Sequence, residues 1–164
     1  MLSSTDVGYL RRCVKLAREA LDAGDDPFGS VLVDATGKIL REDRNRDTTE
    51  ADITLHPEFT LAVWARKHMT PADRAAATVY TSGEHCPICA TAHAYAGLGR
   101  IVYASSSAQL KQWKTQLGVK AGPVVPLPIN QVAPDLTVDG PAPGLDEEIF
   151  ELHRLKQVRD TAES

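Results

Sequence analysis

The chain has 164 residues, 43% of them hydrophobic and 24% charged, with three cysteines and a formal net charge of −4. That length fits one soluble domain with a sizeable core, and no apolar run approaches the roughly 18 residues of a membrane span. The odd cysteine count and the missing secretory pattern at the N-terminus set the expectation of a cytoplasmic protein without a disulfide framework, and the acidic balance argues against a dedicated nucleic-acid binder, which carries a basic face.

The first predicted element is an amphipathic helix. Val7, Leu10, Val14, Ala17 and Leu21 recur at helical spacing, Ser4 or Thr5 can cap it, and Gly24 can end it. Cys13 lies beside the apolar stripe and reads as a packing residue. A buried strand over 28–34, a turn at Thr36-Gly37 and a strand over 38–42 predict a hairpin, followed by a polar loop over 43–52. A helix over 56–67 offers Phe59, Val63 and Trp64 to the core. A short strand over 77–81 leads through Ser82-Gly83 into a helix over 86–96, which Gly97 and Gly99 stop. A strand over 100–104 and a helix over 105–117 follow. Residues 121–144 are rich in proline and hold one further strand, near 124–127 or near 136–138. A last helix runs over 146–159. No repeat or linker divides the chain, so one domain over 1–164 is expected. Strands alternating with helices point to an α/β sandwich whose mixed sheet begins with an antiparallel hairpin.

Two motifs carry chemistry: His56-Pro57-Glu58 and Cys86-Pro87-Ile88-Cys89. Each is weak alone, but each opens a predicted helix after a loop. Proline suits the first helical position and pushes the residue before it out of the α region, which leaves the His56 ring free to face a cleft. Cys86 and Cys89 are three apart and share one face of a helical turn. Free N–H groups and the helix dipole there favour thiolates. One imidazole and two thiolates make three protein ligands, the number that a catalytic zinc uses. Glu58 stands two residues from His56 and need not be a ligand. Zinc lowers the pKa of its water to about 7, and a nearby carboxylate can take that proton. His-x-Glu combined with Cys-x-x-Cys is the pattern of zinc deaminases.

The chain therefore resembles the cytidine deaminase superfamily, and most closely its guanine deaminase, cytosine deaminase and tRNA adenosine deaminase branch. The resemblance runs from Asp26 to about Tyr103. It rests on Pro27-Phe28-Gly29-Ser30-Val31-Leu32-Val33, on Asn45 eleven residues before His56, on Asp52 and Thr54, and on Thr81-Ser82-Gly83-Glu84-His85-Cys86-Pro87-Ile88-Cys89. It implies a three-layer α/β/α cytidine deaminase-like fold with a five-stranded mixed sheet, a zinc ion on His56, Cys86 and Cys89, and Glu58 as proton shuttle. Asn45, Glu84 and Phe28 are the implied substrate-binding residues, and a homodimer is the implied assembly. The implied reaction is hydrolytic deamination of a small nucleobase: guanine, cytosine or a related aminotriazine. The alternatives are a nucleoside or tRNA adenosine. In similar deaminases the C-terminal segment folds over the active site. Residues 121–164 are thus a candidate lid, with Glu147 a candidate second proton carrier beside Glu148 and Glu151.

Pro57 stands where the family has alanine, His85 where it has proline, and Leu55 where it has a small residue. These departures touch substrate choice and spare the ligands. Three other readings stay open: a closed zinc site with His85 or His93 as fourth ligand, a redox Cys-x-x-Cys pair, and a zinc-stabilised binding module without turnover. Asn45 also suits an Asx turn. His68, His93, His153, Trp64 and Trp113 read as ordinary core or surface residues.

Overall fold

The computed structural model describes residues 1–163. In chain order its elements are α1 (Ser4–Ala23), β1 (Gly29–Val33), β2 (Ile39–Arg44), α2 (Pro57–His68), α3 (Pro71–Ala76), β3 (Thr78–Gly83), α4 (Pro87–Ala96), β4 (Arg100–Ser105), α5 (Ser107–Gln116), α6 (Ile129–Val132), β5 (Val138–Asp139) and α7 (Asp146–Ala162). The five strands form one sheet in the order β2-β1-β3-β4-β5. The pairs β2-β1 and β1-β3 are antiparallel, and β3-β4 and β4-β5 are parallel. This is the mixed sheet that the alternation of elements predicts.

Strand periodicity sorts the core into two faces. Val31, Val33, Tyr80, Val102 and Ala104 pack toward α1 and α7. Leu32 and Val79 pack toward Leu61, Ala62 and Ala65 of α2, while Ile101 meets Ala90 of α4 and Ile129 of α6. Helices thus cover both faces of the sheet. Strand β1 is buried at all five residues, as expected for an inner strand covered on both sides. At Gly29 the backbone of α1 presses on the sheet: a Cβ there would lie 2.6 Å from the Cys13 carbonyl oxygen and 2.7 Å from Ala17 N.

Several predicted details shift. The cap of α1 is Ser3, ahead of Ser4 and Thr5, because Ser3 and Asp6 close a capping box that also satisfies the Ser3 N–H. Asp6 then accepts hydrogen bonds from Tyr80 (2.9 Å) and Arg100 (2.8 Å), tying α1 to the sheet. The core face of α2 is Leu61, Ala62 and Ala65; of the three predicted core residues Trp64 packs against that cluster while stacking on His68, Phe59 is half-buried and Val63 is exposed. The helix rotates this way because its first turn aims Glu58 inward. Helix α3 was not expected from sequence; Thr70 caps it by accepting from Asp73 N–H, with Pro71 in its first turn. Of the two candidate positions for the last strand the later one holds, as two residues beside β4 that Arg100 anchors through Asp139 at 2.7 Å. Cys13 is fully buried in the core. Among the described residues no helix is long and apolar enough to cross a membrane.

Candidate active site

Helices α2 and α4 lie side by side, and their N-termini converge. Both start the same way. His56 caps α2 in an extended conformation with Pro57 behind it, and Cys86 caps α4 in an extended conformation followed by Pro87. Neither cap residue spends its side chain on its own helix, so both point into the space between.

His56 Nδ1 lies 3.5 Å from Cys86 Sγ and 3.6 Å from Cys89 Sγ, and the two sulfurs are 3.4 Å apart. In a tetrahedral zinc site, bond lengths of about 2.3 Å to sulfur and about 2.0–2.1 Å to nitrogen set edges of about 3.5–3.8 Å. The three side chains therefore fit a zinc ion with little rearrangement. They are also the one group among the described residues that has metal-ligand geometry. His85 and His93 do not join it. His93 Nε2 pairs with the Gly99 carbonyl at 2.8 Å, and His85 is wholly buried, edge-on to His93, with neither ring nitrogen partnered. His85 thus faces neither pocket nor solvent.

The three side chains are strongly coupled electrostatically. The hydrogen bond from Cys89 and the neighbouring His56 pull the Cys86 thiol down to about 4. His56, held by Cys86, is pushed up to about 9. The contact with Cys86, then burial, pushes the Cys89 thiol well above its ordinary value. Beyond the ring, His56 Nε2 faces Asp47 Oδ2 at 3.6 Å. A carboxylate behind a ligand imidazole fixes its tautomer and raises its basicity.

Glu58 sits on the first turn of α2, 5% exposed, with Oε2 3.8 Å from Cys89 Sγ. Burial, then the Cys86 thiolate, raises its pKa. Its other oxygen accepts from Thr81 Oγ1 at 2.8 Å, and Thr81 accepts from Ser30 Oγ at 2.9 Å. Ser30 and Thr81 face each other across β1 and β3, and both are fully buried. A two-hydroxyl chain therefore runs from the sheet to the carboxylate.

A cavity of about 480 Å³, measured to its open mouth, holds Asn45, His56, Glu58, Glu84 and Cys86, walled by Phe28, Pro57, Leu110 and Pro126. Asn45 follows β2, is 1% exposed, and donates its N–H to the Phe28 carbonyl at 3.0 Å. Its Oδ1 accepts from Asp47 N–H at 3.1 Å, the Asx geometry weighed from sequence. Both positions, Asx turn and pocket wall, are occupied by the same residue. Asp25 fixes this loop from below. Its buried carboxylate accepts from Thr48 N, Thr49 N, Thr49 Oγ1 and Arg44. Phe28 occupies the space a Cβ on Gly83 would need, 2.9 Å away, and its ring meets His153 edge-on at 5.3 Å. Glu84 lines the cavity, but its two oxygens accept from Ser107 N (2.7 Å) and Ile129 N (2.8 Å), so it also staples α5 and α6 to β3. Glu147 is exposed on the first turn of α7 and does not line the cavity. From the segment 121–163 only Pro126 reaches it. Trp64 borders a separate hollow with His68, and Trp113 packs against Phe150 and His153.

Asp25, Asp47, Ser30 and Thr81 went unassigned in the sequence reading. Ser30 and Thr81 stand inside the two resembling motifs, which was the available signal.

Known proteins of similar sequence and fold are deaminases. A probable cytosine deaminase of Schizosaccharomyces pombe is 33% identical over 129 residues, covering 79% of this chain and 75% of its own. The guanine deaminase of Bacillus subtilis is 38% identical over 98 residues, 59% of this chain and 62% of its own. A tRNA-specific adenosine deaminase of Haemophilus influenzae is 30% identical over 104 residues, 63% of this chain and 60% of its own. The solved guanine deaminase of Nitrosomonas europaea superposes with a TM-score of 0.73 at 19% identity, over 96% of this chain and 86% of that one, a likeness of fold. The sequence profile of the MafB19-like deaminases matches residues 5–124, and the chain belongs to that family.

Proposed function

We propose that the protein is a zinc-dependent hydrolase that removes the exocyclic amine of a small nucleobase: guanine, cytosine or a related aminotriazine. The observation that carries this reading is the placement of the buried Glu58 carboxylate 3.8 Å from a sulfur of a three-ligand set, at the base of a cavity walled by apolar side chains. Zinc, when bound by His56, Cys86 and Cys89, supplies Lewis acidity that readies a water as nucleophile near neutral pH.

Glu58 takes the proton from the attacking water as oxygen bonds to the amine-bearing ring carbon. It delivers that proton to the adjacent ring nitrogen, and a second transfer through the same carboxylate lets ammonia leave. Water and aminated ring become ammonia and a ring carbonyl, so atoms and charge balance. Burial favours this role: raising the carboxylate's pKa toward the working pH makes it a better proton carrier. Asn45 offers a base edge one donor group and one acceptor. Phe28 and Pro57 hold the ring between apolar surfaces and keep water away. Asp47 positions the His56 ring. Glu58 is the sole proton carrier in this scheme, since Glu147 lies outside the cavity. Relatives named for guanine and cytosine deamination support a small base.

We further propose a cytoplasmic homodimer. The exposed Val63 of α2 and Ile88 and Tyr95 of α4 support a second copy meeting this layer, which sedimentation equilibrium tests.

An ammonia-release panel on the zinc-loaded protein tests the function, using guanine, cytosine, adenine, their nucleosides and aminotriazines. Turnover of at least one free base is expected. Silence across the panel with zinc stoichiometrically bound overturns the reading in favour of a binding module.

A further inference from the structure

Ser105, Ser106 and Ser107 run from the last residue of β4 into α5, and their side chains have three different fates. Ser105 donates to the Ser82 carbonyl at 2.9 Å, and Ser106 caps α5 by accepting from Gln109 N–H at 3.1 Å. Ser107 does neither. It is 7% exposed and lines the catalytic cavity, yet among the described residues its hydroxyl has no hydrogen-bond partner. A buried polar side chain is ordinarily paired within the protein, so this oxygen is free for whatever fills the cavity.

Ser107 and Glu58 reach the cavity from opposite layers. Helix α2 carries Glu58 and packs on one face of the sheet through Leu61, Ala62 and Ala65. Helix α5 belongs to the other layer, where its Trp113 joins the cluster of α1 and α7. Strand β3 measures the gap between them. Glu58 is bonded to Thr81, and Glu84, three residues further along the chain, accepts from Ser107 N–H at 2.7 Å. Three residues of strand cover about 10 Å, which leaves room for a heterocyclic ring. Each Glu84 oxygen already accepts a backbone N–H, so Glu84 is a positioning residue that fixes where Ser107 sits. On a base whose amine carbon faces Glu58, the edge turned to Ser107 is the remote one. In cytosine, N1 stands opposite the amine-bearing C4. In guanine, N9 lies on the five-membered ring, away from the amine-bearing C2. Both nitrogens carry a hydrogen in a free base and a sugar in a nucleoside.

We propose that Ser107 is the specificity-determining residue that selects a free base over its nucleoside: its hydroxyl accepts the N–H at the ring nitrogen where a nucleoside carries its sugar. This rests on the deaminase reading for the base in the cavity and deepens it. A hydroxyl oxygen has two lone pairs to offer. A substituent on that nitrogen removes the donor and leaves the buried hydroxyl unpaired. Sites built to hydrogen-bond a substrate group reject analogues that lack it for this reason.

Matched substrates isolate the contact: cytosine against 1-methylcytosine, and guanine against 9-methylguanine. In each pair a methyl group replaces the hydrogen and no sugar intrudes. In the wild type the methyl group should lower kcat/KM for ammonia release by about tenfold or more, the factor that corresponds to 1.4 kcal/mol. In Ser107→Ala the free base should lose about that factor while the methylated base loses nothing, so the ratio falls to about one. The backbone N–H of residue 107 still reaches Glu84 in this variant, which should melt with the wild type. Equal kcat/KM within a pair in the wild type overturns the proposal, and so does an unchanged ratio in Ser107→Ala. A ratio that falls without any loss for the free base also overturns it, because room for the methyl group then sets the preference. A wild-type preference for nucleosides over free bases does the same. If no base releases ammonia, the deaminase reading fails separately. Calorimetry on the zinc-loaded protein then still decides the contact: cytosine must bind tighter than 1-methylcytosine to the wild type and equally to Ser107→Ala, and equal or undetectable binding to the wild type overturns it.

Discussion

Thr81→Val tests whether the hydroxyl chain behind Glu58 matters to turnover. The substitution keeps the branched shape and removes one oxygen. That oxygen donates to Glu58 Oε1 at 2.8 Å and accepts from Ser30 at 2.9 Å, in a site with no solvent exposure. A hydrogen bond to a charged group contributes about 1.5–3 kcal/mol. At 1.36 kcal/mol per factor of ten, its loss in the transition state lowers kcat roughly 10- to 100-fold. KM should move little, because Thr81 does not line the cavity. Ser30→Ala cuts only the outer link and should cost less. The double variant should be no slower than Thr81→Val alone, since both changes act through one chain and groups in one network do not add. Steady-state ammonia release with zinc content measured in each preparation reads all of this. Wild-type kcat in Thr81→Val, or additive losses in the double variant, would show that Glu58 is held by something else.

Two further outcomes concern stability. Burial, then Lys114 and Lys156, pulls His153 down to about 3. Its ring is packed against Phe28 and Trp113. Between that value and the ordinary 6.5, the unfolded chain binds a proton that the folded one refuses, so stability is complete above pH 6.5 and falls as pH drops below it. At 1.36 kcal/mol per pH unit this loss reaches several kcal/mol. His153→Phe keeps a ring and removes the titration, so its melting temperature should fall less between pH 6.5 and 4 than the wild type's; parallel curves contradict the assignment. His85→Leu removes two buried, unpartnered ring nitrogens. Such a group costs about 1–3 kcal/mol, so the variant should melt at or above the wild-type temperature with zinc retained, and a clear drop would show that those nitrogens have a partner in solution.

The site was legible in the sequence because its signals are local. Pro57 and Pro87 mark helix starts on their own, and the three-residue step from Cys86 to Cys89 needs only helix geometry. The sheet was legible too, since its buried runs and turns follow short-range patterns. What escaped depends on register. Ser30 meets Thr81 only because β1 and β3 pair as they do, and Asp25 reaches Thr48 and Thr49 across a fold of the chain. Helix α3 had its signal in Thr70-Pro71 and Asp73 but is six residues long, and the two-residue β5 is held by distant Arg100 more than by propensity. Glu147 looked available because acids at a helix start are chemically suitable, yet the direction of α7 turns it to solvent.

The most direct measurement is ammonia release by Glu58→Gln beside the wild type, with bound zinc quantified in both. Gln keeps the size of the side chain and its contact with Thr81 but cannot carry a proton. The expected result is full zinc content and turnover reduced by about 10²- to 10⁴-fold, the range of general acid–base catalysis. Near-normal turnover with zinc bound would contradict the account at its centre.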